Sequence, residues 1–474
     1  MRSKLQRIFT KGGVLSPGEL KQIIKMAESL GFSTIKFGSR QDILFPYNPA
    51  NKEIIEQYPN LNIDSSAKRN FQNIVCSYVS ADIFPSTPWL KGSTYLYILE
   101  EFKYNPTLKI NITDPKQQLV PLFSGQINFI ASENEDYWHL NLKLPNWESE
   151  VEYPVLIYSW DIPKIAAAIE EFYEETTDIN LLFNLINEKI ETNNRTIEHK
   201  LEVPFHPFPY YEGMNKMSDN DYWLGLYWRN NEYDLSFLKD FCEFCLDSNV
   251  GKICITPWKS FIIKGLHRNH KLSLEKLLGK RGINVRHSSL ELNWHLPVDD
   301  TEALELKKFI VRNFDQNDIS TYGLNFGVSD SALKDTYFTS TVIEKNQSPT
   351  IIKDFKIRPT YNVLYCKNFN PNTREYLMYA QDVDKMELPG LLMELSKLYF
   401  ENLGKEDEIK SNNELEHKPE KEVYQCTECL TVYDTDFGDK KANIAPGTTF
   451  NELPLDYSCS VCESSKNTYK LVTI

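Results

Sequence analysis

The sequence predicts an α+β chain built as a duplicated body followed by a small, cysteine-clamped C-terminal domain. Two observations carry this. A helix–strand–strand pattern near the N-terminus returns 218 residues later, and two C-x2-C pairs lie within the last fifty residues. At 474 residues the chain is too long for one ordinary core, and 41% hydrophobic residues suffice for several.

The first element is LSPGELKQIIKMAESLGFSTIKFGSRQDILF. Ser16 with Glu19 three residues on forms a capping box, Pro17 takes the first helical position, and Gly31 sits where a helix stops. Leu20, Ile23, Ile24, Ala27 and Leu30 make the apolar stripe. Strands near 33–37 and 43–45 follow. The second copy is YDLSFLKDFCEFCLDSNVGKICITPWKSFII, where Leu238, Phe241, Cys242 and Cys245 fall on the positions of Leu20, Ile23, Ile24 and Ala27. Cys242-x2-Cys245 therefore reads as the packed face of a helix and not as half of a metal site, since free Cys behaves as a small hydrophobe.

Between and after the copies lie two further segments, with NPTLKINITD and FSGQINFIAS in one and ELPGLLMELSKLYF closing the other. The expected organisation is 1–65 as the first half-domain, 66–200 as an α/β segment, 201–314 as the second half-domain and 315–402 as its α/β segment. A charged stretch without apolar periodicity, 403–421, reads as a flexible linker to a last domain at 422–474.

That last domain carries the clearest chemistry. Cys426 and Cys429 form one pair and Cys459 and Cys462 the other, with 29 residues between the pairs. Two such hairpins close a tetrahedral all-sulfur site that suits iron or zinc. The residues between them resemble rubredoxin along their length: Tyr433-Asp434, Gly438-Asp439, Pro446-Gly447-Thr448, Phe450, Leu453-Pro454, and an aromatic, Tyr457, two residues before the third cysteine. The resemblance implies one iron held by four thiolates and cycling between ferric and ferrous states. Tyr424, Tyr433, Phe450, Tyr457 and Tyr469 would form its aromatic core. Three departures stand out: the family's Gly after each pair is Leu430 and Glu463 here, its Pro inside the second pair is Ser460, and its Trp is Tyr457.

The body in turn resembles the ferredoxin-like and α/β halves of sirohaem-dependent nitrite and sulfite reductases, on the duplicated order and on elements such as FGSRQ and KICITPWKSFII. In that family a [4Fe–4S] cluster is ligated by a C-x5-C and a C-x3-C pair. Neither pair exists here: Cys76 and Cys366 are isolated, and Cys254 joins Cys242 and Cys245 in the second repeat. The resemblance implies an anion-binding or haem-carboxylate role for Arg40, whose alternative is a solvated turn residue. Trp258 and Lys259 hold the equivalent turn of the second repeat, and Lys109 is what remains of the family's basic cluster.

The expectation is an electron carrier rather than a catalytic reductase: a rubredoxin-like domain tethered to a degenerate scaffold, delivering electrons to a redox partner, a nitrite or sulfite reductase by analogy. Neither sirohaem nor [4Fe–4S] is expected, and no catalytic residue is assigned. Two rival readings are an active sirohaem reductase with a fused rubredoxin and a non-redox scaffold stabilised by zinc. A net charge of −14 argues against nucleic acid and anionic membranes as partners. Nine cysteines without a disulfide-like pattern, no leader-like h-region and no apolar run of eighteen residues point to a reducing, cytoplasmic setting.

Overall fold

The computed structural model describes residues 5–46, 48–64, 71–330, 337–346, 359–403 and 422–473. They fall into two compact units, Met1–Phe400 and Glu401–Ile474. Most of the stretch read as a linker, 404–421, lies outside the described residues.

In the larger unit the capping box forms as the sequence dictates. Ser16 accepts from the Glu19 N–H, Glu19 accepts from the Ser16 N–H, and the helix Pro17–Ser29 follows. Its counterpart, Leu235–Asp247, is capped by Asp234. The two helices share one core, in which Leu20, Ile23, Ile24 and Ala27 meet Leu238, Phe241, Cys242 and Cys245. Both cysteines are wholly buried, as the helical periodicity required.

The two repeats interlock through their sheets. Leu5–Ile8, Ile43–Pro46, Thr34–Phe37 and Tyr233–Asp234 form one antiparallel sheet in that order. Gly213–Lys216, Asp221–Tyr227, Ser260–His267, Ile253–Ile255 and Val14–Leu15 form the other. Val14–Leu15 and Tyr233–Asp234 precede the two equivalent helices, and each strand completes the sheet of the opposite repeat. An unpaired sheet edge is thereby closed in both halves.

Each repeat also carries a mixed sheet of the same plan. Val75–Cys76, Ile110–Thr113 and Ile127–Ala131 run parallel, then Tyr137–Leu142 turns antiparallel. Trp294–His295, Phe326–Asp330 and Thr341–Lys345 run parallel, then Tyr361–Cys366 and Tyr376–Val383 are antiparallel. The expected boundary at 314/315 is displaced by this pairing. Trp294–His295 and the helix Thr301–Gln316 belong with the second mixed sheet, because Ala303, Leu306, Ile310 and Phe314 pack against Phe326, Ile343 and Val363. A two-residue strand is too short to show alternation in sequence, so the boundary was not legible there.

The hairpin turns of the two repeats are superimposable in their bonding. Gly38 N–H donates to Asp42 O and Gln41 N–H to Gly38 O; Thr256 N–H donates to Ser260 O and Lys259 N–H to Thr256 O. Gln41 (φ 59°) and Lys259 (φ 57°) occupy the same left-handed position.

The smaller unit is a three-stranded antiparallel sheet, Val432–Tyr433, Glu422–Cys426 and Tyr469–Thr473. Its core is Tyr433, Phe450, Leu453, Tyr457 and Tyr469 with Cys426 and Cys459. Tyr424 stacks on Phe450 at 3.9 Å between ring centroids. No helix among the described residues is long and apolar enough to cross a membrane.

Candidate metal centre

Two chain reversals bring the four cysteines together, and they are built alike. Cys426 N–H donates to Thr431 O at 2.8 Å and Leu430 N–H to Cys426 O at 2.9 Å. Cys459 N–H donates to Ser464 O at 2.8 Å and Glu463 N–H to Cys459 O at 2.8 Å. Closing each reversal requires a left-handed residue, and Leu430 and Glu463 both adopt φ 61°. These are the two positions where the family's glycine is missing, so each turn carries ~1–2 kcal/mol of backbone strain. Gly438 does keep its glycine. A Cβ there would meet Ile444 O and Ala445 O at 2.6 Å.

All four Sγ atoms lie within 4.8 Å of one another, with Cys429–Cys459 at 3.5 Å and Cys426–Cys462 at 3.6 Å. An ion bonded to four sulfurs at about 2.3 Å sets them about 3.8 Å apart, so the constellation fits a single tetrahedral metal. Cys426 and Cys459 are buried, Cys429 is partly buried and Cys462 is exposed. The site is therefore sealed on one side and reaches solvent on the other, where Leu430 and Val461 are also exposed.

Every sulfur is met by a side-chain hydroxyl. Thr431 Oγ1 lies 3.1 Å from Cys429 Sγ, Ser464 Oγ 3.0 Å from Cys462 Sγ and Thr468 Oγ1 3.8 Å from Cys426 Sγ, while the Tyr469 hydroxyl favours the thiolate of Cys459. Burial opposes ionisation of Cys459, but the Tyr469 O–H and the Cys462 and Val461 N–H groups outweigh it and pull the thiol down to about 6. Cys426 also falls: burial again opposes, and the N–H groups of Cys429 and Glu428 prevail. Cys462 rises to about 11. The Ser464 hydroxyl and N–H favour its thiolate, yet proton sharing with Cys429 and Cys426 holds it neutral. Four thiolates so close together require a cation. The hydroxyl set escaped the sequence reading, although its trace is there: Thr431 and Ser464 each stand two residues past the second cysteine of their pair.

The remaining cysteines are not brought together as a ligand set. Cys76, Cys242, Cys245, Cys254 and Cys366 are buried, and burial raises all five thiols. Arg40 is not a solvated turn residue. Its Nη1 donates to Asn111 Oδ1 at 2.7 Å, and its Nη2 to Asn73 O at 2.8 Å and Ile110 O at 2.7 Å. The guanidinium thus clamps its hairpin turn onto the first mixed sheet. Lys109 feels Arg40 and then Arg7, after burial, as causes that lower its ammonium. Arg7 is the member of this basic group that the sequence did not suggest. In the second repeat Trp258 takes Arg40's place and donates from Nε1 to Leu119 O at 2.8 Å.

Comparison with known proteins divides along the same line. The family model described as Rubredoxin matches residues 423–469. Rubredoxin-1 of Chlorobaculum tepidum is 44% identical over 46 residues, covering 10% of this chain and 67% of that protein. The probable rubredoxin HupI of Bradyrhizobium diazoefficiens is 36% identical over 73 residues, 15% of this chain and 93% of that protein. The high molecular weight rubredoxin of Moorella thermoacetica is 45% identical over 49 residues, and the chain spans only 21% of its length. The NirA protein of Mycobacterium tuberculosis aligns in structure with a TM-score of 0.61 at 12% identity, over 82% of this chain and 79% of that one. At that identity the likeness shows that the two chains share a fold.

Proposed function

Because the chain belongs to the rubredoxin family through its C-terminal domain, we propose that it is an electron carrier whose larger unit is a catalytically degenerate reductase scaffold. The observation that carries the reading is the geometry of Cys426, Cys429, Cys459 and Cys462, which fits one iron. Iron in such a site takes up and returns one electron with little change of geometry. The protein's part is to hold the sulfurs fixed by two bonded reversals, to shield Cys426 and Cys459 behind tyrosines, and to leave Cys429 and Cys462 toward the surface for electron exchange.

Degeneracy of the scaffold is supported by the packing of its five cysteines, all buried as side chains of the core. Delivery of electrons to a separate nitrite or sulfite reductase is the partner reading, consistent with the NirA-like fold.

Aerobically purified protein should be red, contain about one iron per chain and bleach with dithionite, as a ferric tetrathiolate does. Colourless protein holding zinc after growth in iron-rich medium would defeat the carrier reading. Acid-labile sulfide or tetrapyrrole absorption bands would instead favour an active reductase. For the partner, dithionite-reduced chain should reoxidise faster when a nitrite or sulfite reductase and its substrate are added anaerobically; an unchanged rate refutes delivery.

A further inference from the structure

The duplicated hairpin turn has diverged in a way that opens a cavity in the second repeat. At the left-handed position of the first turn, Gln41 is fully engaged with the protein. Its Nε2 donates to Cys76 O and Ile255 O at 3.1 and 2.9 Å, and its Oε1 accepts from Cys76 N–H at 2.7 Å. The same position in the second repeat is Lys259, whose side chain runs along a cavity of about 420 Å³ walled by Tyr227, Trp228, Trp258 and Trp294.

Three of the four cations around this cavity are paired with carboxylates. Lys307 is 2% exposed and gives its three donors to Tyr227 Oη, Glu291 O and Glu291 Oε2 at 2.6, 2.7 and 3.1 Å. Arg229 pairs with Glu291 at 3.1 Å, and Lys36 pairs with Asp299 and Glu232. Asp300 is occupied in capping the helix Thr301–Gln316. Lys259 donates to the Leu296 carbonyl and pairs with no carboxylate among the described residues. Burial and then Lys307 pull its ammonium down to about 7, against the weaker opposing pull of Asp299 and Asp300. The rings around it are fixed by their own neighbours, Trp294 stacked on Phe326 at 4.9 Å and Trp258 against Phe208 at 4.4 Å, so the walls are pre-formed.

We infer that this cavity is a binding site for a small planar carboxylic acid, its carboxylate on Lys259 Nζ and its flat body between the indole rings. The site is separate from the metal centre and independent of the electron-carrier reading.

The test is titration of the full-length, iron-loaded chain with benzoate and indole-3-acetate, followed by calorimetry and by the fluorescence of the lining tryptophans. Benzamide serves as the uncharged counterpart of benzoate. Both acids should saturate the site. Lys259→Gln, which installs the first repeat's residue, should weaken them at least about tenfold, or ~1.4 kcal/mol. Leu304→Trp, which fills the cavity, should abolish binding with Lys259 intact. Absence of saturable binding to the unmodified chain overturns the inference, as does equal affinity of Lys259→Gln. If Lys259→Gln does not fold, benzoate against benzamide on the unmodified chain decides: equal affinity refutes a carboxylate site.

Discussion

Replacing Tyr469 with phenylalanine removes a single oxygen from the metal centre and isolates what that oxygen does. Tyr469 is 8% exposed and Cys459 1% exposed, so the action of the hydroxyl on the sulfur is shielded from water and packing changes little. A hydrogen bond to a charged acceptor contributes ~1.5–3 kcal/mol. The sulfur is a thiolate in both oxidation states, and only the part of that energy that grows with the extra negative charge of the ferrous site affects the potential. Taking that part as about one third gives ~0.5–1 kcal/mol, and since ~1.4 kcal/mol corresponds to about 59 mV for one electron, the shift is ~20–40 mV. Its sign is fixed: a donor stabilises the more negative reduced state, so Tyr469→Phe lowers the midpoint. Spectroelectrochemical titration of the full chain, following the ferric charge-transfer band, measures it. An unchanged or raised midpoint in a variant with normal iron content and spectrum would show that the hydroxyl does not donate to Cys459.

The remaining expectations bear on other parts of the molecule. Thr431→Val with Ser464→Ala removes the hydroxyls on the two outward sulfurs and should lower the same midpoint further, read in the same titration. Leu430→Gly and Glu463→Gly relieve the left-handed strain at φ 61°; after allowance for glycine's freedom in the unfolded chain each should stabilise the iron-loaded domain by ~0.5–1 kcal/mol in urea unfolding followed by visible absorbance. Cys242→Ser with Cys245→Ser should leave iron content unchanged while costing ~1–3 kcal/mol per buried hydroxyl in unfolding of the larger unit. Stripping the metal with acid should unfold the C-terminal unit, whose core is seven residues including two of the ligands, while amide NMR signals of the larger unit persist.

What was written in the sequence is local or periodic. The capping box at Ser16 and Glu19, the buried faces of Pro17–Ser29 and Leu235–Asp247 and each of the two C-x2-C pairs all follow from neighbours within a turn or two of chain. Fixed spacing turns such signals into geometry without knowledge of the rest of the fold. What only the tertiary structure decided depends on partners far away in sequence. The exchange of Val14–Leu15 and Tyr233–Asp234 between repeats joins residues 198 to 240 positions apart, and strands of two residues leave no period to read. Arg40 becomes a clamp because Asn73, Ile110 and Asn111 arrive beside it, and Tyr469 comes near Cys459 only once the strand Tyr469–Thr473 has paired with Glu422–Cys426. Lys259 shows the limit most clearly. Its turn is a faithful copy of the one at Gln41, yet one side chain is locked to the backbone and the other borders a cavity, because the elements packed against the two turns differ.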